Sequence, residues 1–286
     1  MKLQTFYQIY YKHRILKANI FYKIYLLIII PIRYIFNSII IEKKINLDYL
    51  GIINPTLFEK NLNYLFEYFN TDKGYYFYNQ YSKSQKKEKI QGHSYVAFYE
   101  KYFKIIKNNK LNILELGSFK GAAAAAFFFY FPNSKIYSGD IFPDLFNFFS
   151  KRIFNFKVDS GSEKSISSVI LNNDVKYDII IEDASHFLKD QIISLFLLFK
   201  KLKSDGFFII EELDFPDTRK DMNLLNEKPT LREILYCIKE NKNFHSNYIN
   251  NIDRKYFLEN FQSINIYKGR TNEIAFIKKK VYEKKN

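Results

Sequence analysis

The chain has 286 residues and a mass of 34.4 kDa, and its 47% hydrophobic residues suffice for one large α/β domain and an appendage around a sizeable core. Its formal net charge of +14 sits at the ends: residues 1–44 carry eight basic residues against Glu42, residues 278–286 carry five lysines against Glu283, and only +3 remains between them. No basic stripe crosses the middle of the chain, which argues against nucleic-acid binding, and the single Cys237 excludes an internal disulfide or a cysteine-based zinc cluster and fits a reducing, cytoplasmic compartment.

The amino terminus is basic and then apolar. No small-residue cleavage site follows residues 24–32, so a signal peptide is not expected. That run is interrupted by Pro31 and closed by Arg33, short of the about 20 apolar residues of a spanning helix. Extended to Ile41 it reaches spanning length, but Arg33 near its middle costs about 2.5–3.5 kcal/mol. Three placements stay open: a helix in the lipid interface, a helix packed on the protein's own core, and a span. The first gives a peripheral contact with the inner face of the cell membrane through residues 1–44.

Residues 5–70 read as helical, with a short helix at 45–50 and another from Thr56 through Phe69, where Thr56 and Glu59 have capping-box spacing. The turn 70-NTDKG-74 closes it, residues 75–92 form a polar, Tyr- and Lys-rich loop with partial order, and 93–107 is an amphipathic helix. Strands are then expected at 112–117, 135–140, 154–158, 177–183 and 206–211, alternating with helices at 120–131, 143–151, 162–171, 188–203 and 229–240. Strands and helices in this alternation mean right-handed βαβ units and a parallel sheet. Two last strands, 260–268 and 273–280, are joined by the turn 269-GRTN-272, too short for anything but an antiparallel pair. The expected fold is α/β: a doubly wound, Rossmann-like, mostly parallel seven-stranded sheet ending in an antiparallel hairpin, with an N-terminal helical extension. The extension and variable loop take residues 1–92, and the catalytic domain takes residues 93–286.

In such a sheet the polar residues closing each strand converge on one crevice. Glu115-x-Gly117-x3-Gly121 joins the first strand to its helix. Gly117 permits the sharp turn and Gly121 close helix packing, while Phe119 replaces the glycine that would admit a pyrophosphate. Asp140 ends the second strand where a carboxylate accepts ribose hydroxyls, the alternative being a surface-turn aspartate. Asp183 closes the fourth strand and Glu211 and Glu212 the fifth. Neighbouring strands lie about 4.8 Å apart, so at least two acids share the crevice and demand a raised pKa or a cation, Mg²⁺ by ligand chemistry, unless one is exposed and another caps a helix. His186 follows Asp183 by three residues and is either structural or a general base.

Together these segments resemble the class I S-adenosylmethionine-dependent methyltransferases. Within that superfamily 71-TDKG-74, 93-HSYVAFYEKYF-103, IEDASH and IIEEL resemble the macrocin- and mycinamicin-type sugar O-methyltransferases, over about residues 70–281. The resemblance implies that Glu115, Gly117, Ser118 and Gly121 line the methionine part of the cofactor, Asp140 and Ile141 the ribose, and Asp159 and Ser160 the adenine, with Asp72, Lys73 and Asp183 completing the cofactor set. It implies a divalent ion, Mg²⁺ or similar, on Asp183, Glu211 and Glu212, catalysis by His186 and Asp183, and a sugar or glycan acceptor. No nucleic acid is expected as partner, and a homo-oligomer stays open. A catechol-type small-molecule O-methyltransferase and a non-catalytic protein retaining the fold are the alternatives. An iron-dependent oxygenase is disfavoured, because no close His-x-Asp pair accompanies His93, His186 and His245.

Overall fold

The strands form where the apolar runs end in turn residues. This computed structural model describes residues 2–11, 19–39, 44–79 and 88–281. Seven strands make one sheet: β1 (Asn112–Leu116), β2 (Lys135–Asp140), β3 (Ile153–Lys157), β4 (Tyr177–Glu182), β5 (Leu202–Ile210), β6 (Phe261–Lys268) and β7 (Glu273–Lys279). Their order is β6-β7-β5-β4-β1-β2-β3. Neighbours run parallel except at β7, which is antiparallel to both β5 and β6. The mostly parallel seven-stranded sheet and its closing hairpin are therefore as the sequence implies.

The principal helices around the sheet and at the amino end are α1 (Leu3–Tyr10), α2 (Ile20–Ile39), α3 (Leu47–Ile53), α4 (Leu62–Phe69), α5 (Val96–Phe103), α6 (Ala122–Tyr130), α7 (Leu188–Leu198), α8 (Leu231–Lys239) and α9 (Asn251–Asn260). Successive strand residues point to opposite faces, so β1 sends Ile113 into the core under α3 to α6 and Leu114 into the core under α7 to α9. Helix α6 is buried from Ala123 to Tyr130, as a helix caught between the sheet and a second helical layer must be. Phe66 and Phe69 of α4 pack on Phe127 and Phe129 of α6, so residues that precede the sheet in sequence complete its core. Each such ring contributes roughly 1.5–3 kcal/mol over an exposed one.

Two local expectations fail, and the partial order of a third segment takes a definite form. Residues 143–151 do not form a helix. After one 3₁₀ turn at Pro143–Leu145, the two-residue strand Phe148–Phe149 pairs with Ile45–Asn46, and Asp48 accepts from Ser150 Oγ and the Lys151 amide at 2.9 Å each. Thr56 caps nothing: Pro55–Glu59 is a 3₁₀ turn, Lys60 is extended, and α4 starts after Asn61, whose side chain accepts from the Tyr64 amide at 2.8 Å. The loop 75–92 is partly a hairpin, with Tyr76–Tyr78 antiparallel to Lys89–Gln91.

At the amino end α1 and α2 pack through Phe6, Tyr11, Leu26 and Ile30. The Lys2 amide and Thr5 hydroxyl donate to Asp144 at 2.6 and 2.9 Å, tying α1 to the loop after β2. The rest of α2 exposes Phe21, Leu27 and Ile28 at 80%, 69% and 62%. No helix among the described residues is long and apolar enough to cross a membrane. Parts of the basic ends, at 12–18, 40–43 and 282–286, and the tip of the 75–92 loop lie outside the described residues.

Candidate active site

Because β1 lies between β2 and β4, the strand order reverses there and a crevice opens outside the carboxyl ends of β1, β2, β4 and β5. It holds a cavity of about 770 Å³, the size of a small-molecule site. Of the residues singled out from the sequence, Glu115, Gly117, Ser118, Asp140, Ile141, Asp159 and Ser160 line one end, and Asp72, Lys73, Asp183, His186 and Glu212 line the other. Gly121 and Glu211 stand behind the wall.

The first end is built by a turn that only glycine permits. Gly117 has φ +85°, and a Cβ there would lie 1.9 Å from the Asp183 carbonyl oxygen, so β1 and β4 could not approach as they do. Gly121, at φ +83°, packs on the Phe146 ring. Phe119 tolerates φ +44° while its amide donates to Asp140 Oδ2 at 2.7 Å, and the Phe142 amide donates to Oδ1 at the same distance. Asp140 is thus fixed with lone pairs left over for a ligand. Asp159 accepts from the Gly161 amide at 3.0 Å. Glu115 is buried, which pushes its carboxyl up to about 8, and its Oε2 finds no hydrogen-bond partner among the described residues.

The second end is acidic around one buried cation. The turn 71–74 is stitched to residues 93–96: the His93, Ser94 and Val96 amides donate to the Asp72, Gly74 and Lys73 carbonyls at 2.7, 3.0 and 3.1 Å. This brings two motifs together and sends Lys73 inward, where its ammonium contacts Asp183 Oδ2 and, at 2.8 Å, Glu211 Oε2. Burial opposes the charge, yet Asp183 and Glu211 hold the lysine well above its ordinary range. Burial and then Asp183 push Glu211 up to about 7, and the same causes raise Glu212 well above the carboxylate range. Three acids on one lysine leave a deficit of positive charge.

That deficit is localised. Glu212 Oε2 is buried without a hydrogen-bond partner among the described residues and faces Asp183 Oδ1 across His186, whose Nε2 is 3.8 Å from each. Asp183, His186 and Glu212 each offer a ligand atom within 4.8 Å of the others, a donor set that fits a divalent cation. Burial lowers the His186 pKa, favouring the neutral ring that can accept a proton.

Several side chains take part that no strand end announces. Tyr99 donates to Glu211 Oε1, and Tyr95 to Glu212 Oε1 at 3.3 Å. Their i, i+4 spacing on α5 and its cap is the one readable clue. His93 lies 3.6 Å from Asp72 and 3.3 Å from Glu212. At the rim Phe215 stands edge-on to the His186 ring and carries the Arg219 guanidinium on its face. Neither belongs to a periodic segment.

No family model matches the chain. A stretch of 128 residues, 42% of the chain, is 26% identical to 8-demethyl-8-(2-methoxy-alpha-L-rhamnosyl)-tetracenomycin-C 3'-O-methyltransferase of Streptomyces olivaceus and covers 32% of that protein. Among solved structures, the MycE methyltransferase of the mycinamycin biosynthetic pathway, in complex with Mg and SAH, superposes with a TM-score of 0.58 at 17% identity over 79% of this chain and 56% of MycE. MycE with Mg, SAH and mycinamycin VI gives 0.53 at 18% identity, over the same shares. The chain thus spans about a third of the curated relative and little more than half of MycE. In fold, the chain is similar to the MycE methyltransferase.

Proposed function

We propose that the chain is a divalent-metal-assisted O-methyltransferase that moves the methyl group of S-adenosylmethionine to a hydroxyl of a sugar. The observation that carries the reading is the juxtaposition, in one crevice, of a ligand-ready Asp140 at the glycine turn and an acid cluster with an open Glu212 oxygen. The names of MycE and of the Streptomyces relative, both methyltransferases, support it.

In this reading Glu115 to Gly121 take the methionine part of the cofactor, with Asp72 and Lys73 behind it, Asp140 and Ile141 the ribose, and Asp159 and Ser160 the adenine. Asp183, Glu211 and Glu212 form the metal end. A bound divalent ion supplies orientation of vicinal hydroxyls and a lower hydroxyl pKa. In this reading carboxylate oxygens would hold the ion and leave the His186 ring free, bound S-adenosylmethionine would supply the methyl group with the carbon–sulfur electron pair left on sulfur, and His186 Nε2 would accept the proton of the acceptor hydroxyl. Holding oxygen, carbon and sulfur in line supplies much of the rate.

We extend the reading to location: the chain works in the cytoplasm, with residues 1–44 against the inner face of the membrane and a glycan acceptor presented there. The charge of that segment and the exposed apolar residues of α2 support this. The activity is tested by following labelled methyl from S-adenosylmethionine into a panel of glycans and catechols, with and without chelator. Incorporation into glycans that chelation abolishes is expected. Transfer that survives exhaustive chelation ends the metal part, and transfer confined to catechols ends the sugar part.

A further inference from the structure

After the acid cluster the chain makes one helical turn, Phe215–Thr218, closed by the Arg219 amide donating to the Phe215 carbonyl at 2.8 Å. Their i, i+4 spacing puts the two side chains on one face of the turn. Phe215 stands edge-on to the His186 ring at 5.2 Å, and the Arg219 guanidinium lies 4.7 Å from the Phe215 ring centre, so one phenyl ring separates a fixed positive charge from the imidazole. The turn is anchored from behind, because Asp217 accepts from the Lys228 ammonium at 3.0 Å and the Thr230 hydroxyl at 3.1 Å.

Among the described residues, three lysine or arginine side chains line the cavity, and they are not alike. Lys73 is buried against Asp183 and Glu211, and Lys120 belongs to the glycine turn, over the Phe119 ring. Arg219 is 45% exposed. Its partner Asp221, 63% exposed, takes the edge formed by Nε and Nη2, at 3.3 and 2.8 Å. An ion pair in such contact with water is weak and leaves the cation able to hold a second anion. No hydrogen bond among the described residues uses Nη1, so the edge formed by Nη1 and Nη2 remains, a fork that matches two oxygens of a carboxylate or phosphate. Deeper in the cavity Asp72, Asp183 and Glu212 repel a negative group, which favours its placement at this rim.

Resting on the methyl-transfer reading above, we propose that Arg219 is a specificity-determining residue that takes an anionic group of the acceptor, so that the acceptor is an acidic sugar bearing a carboxylate or a phosphate. An anion on the Nη1–Nη2 edge and a hydroxyl toward His186 Nε2 fix the sugar at two points, which sets the hydroxyl presented for transfer. Phe187, half-exposed beside His186, gives the sugar's C–H face an apolar seat. Asp221 holds the guanidinium from its other side and keeps the fork aimed.

The test is ligand-observed NMR titration of the full chain with Mg²⁺ and S-adenosylhomocysteine, which has no methyl group to transfer. The probes are methyl glucoside, the same sugar with C6 oxidised to a carboxylate, and glucose 1-phosphate. A charged probe should bind about 10-fold more tightly than methyl glucoside, the low end for a contact to a charged group because Arg219 faces water. Tighter binding of the carboxylate probe assigns a uronic acid, and of glucose 1-phosphate a phosphorylated sugar. Added salt should shrink the preference. Arg219→Leu should bring the charged probe to the affinity of methyl glucoside, and Arg219→Lys, which keeps the charge without the planar fork, should recover part of the preference. Thermal melting checks folding, and Arg219→Gln serves the same comparison if Arg219→Leu does not fold. An Arg219 that only covers Phe215 would lower the affinity of all three probes alike, which overturns the proposal. A preference that survives Arg219→Leu puts the anion on the metal end and overturns it too. Equal affinities of the wild type for charged and neutral probes, or binding of none, overturn it and leave methyl transfer to its own assay. A preference lost with Arg219, beside labelled-methyl transfer that fails on every sugar, supports the anion site and removes the activity.

Discussion

Asp140 is gripped by the Phe119 and Phe142 amides, so its orientation does not depend on a ligand being present. Replacing it with alanine should weaken S-adenosylmethionine binding by about 1.5–3 kcal/mol, the range for hydrogen bonds to a charged group. Calorimetry on a folded variant with unchanged affinity would remove Asp140 from the cofactor site. His186 occupies the opposite end, and His186→Ala should lower turnover by about 10²–10⁴-fold while cofactor affinity holds, the usual contribution of a positioned base. Near wild-type turnover would make it a spectator. At this scale the sequence is legible where a residue closes a strand: Asp140, Asp183 and Glu212 reach the crevice because the sheet delivers them there. It is illegible where the partner is remote in sequence. Nothing in the sequence pairs Lys73 with acids 110 and 138 residues away, and nothing there shows that one of two adjacent glutamates is already claimed.

Elements obey the same distinction between local and distant causes. The strands and the closing hairpin are readable because their apolar runs and the turn at 269–272 are local signals that tertiary packing reinforces. Residues 143–151 mislead because Ile45–Asn46 and Asp48 recruit that segment into pairing, which no periodicity encodes. The capping-box spacing at Thr56 goes unused, and a capping box stands instead at Thr230 with Glu233, at the start of α8. Strand β7 carries a further consequence in Lys279, 4% exposed at the foot of the sheet. It donates to the Phe199 and Leu202 carbonyls and the Tyr256 hydroxyl, with no carboxylate among its hydrogen-bond partners in the described residues. Burial, and then nearby Lys176, lowers its pKa from 10.5 to about 8. Between those values the unfolded chain binds more protons at this group than the folded one, so its contribution to stability rises with pH across the window and is flat below it. Urea midpoints at pH 8 and pH 10 should therefore separate wild type from Lys279→Met, the variant lacking this rise. Parallel shifts in both proteins would show that Lys279 keeps an ordinary pKa.

Along the sequence, the excess positive charge lies outside the segments that line the crevice. The crevice floor is acidic, while residues 1–44 carry a net +7. Among the described side chains of α2, Leu26 and Ile30 are deeply buried, while Phe21, Leu27 and Ile28 face outward. An apolar helix surface of this breadth calls for a partner. A second copy of the chain would bring +7 against +7. A fluid anionic lipid surface would answer both the charge and the exposed apolar residues, with the exposed rings of Tyr22 and Tyr25 at the level where amphipathic side chains settle. Since α1 is tied through Lys2 and Thr5 to Asp144, three residues past Ile141 at the cavity wall, that surface would lie beside the crevice mouth. The full chain should sediment with phosphatidylserine-containing vesicles at low ionic strength. Salt should release it as the Debye length falls from about 30 Å at 0.01 M to about 10 Å at 0.1 M. The substitutions Phe21→Asp and Leu27→Asp lie outside the α1–α2 contact, so they should abolish sedimentation at low salt without changing the melting temperature. Failure of the wild-type chain to sediment under the same conditions would exclude the lipid surface as the partner of α2.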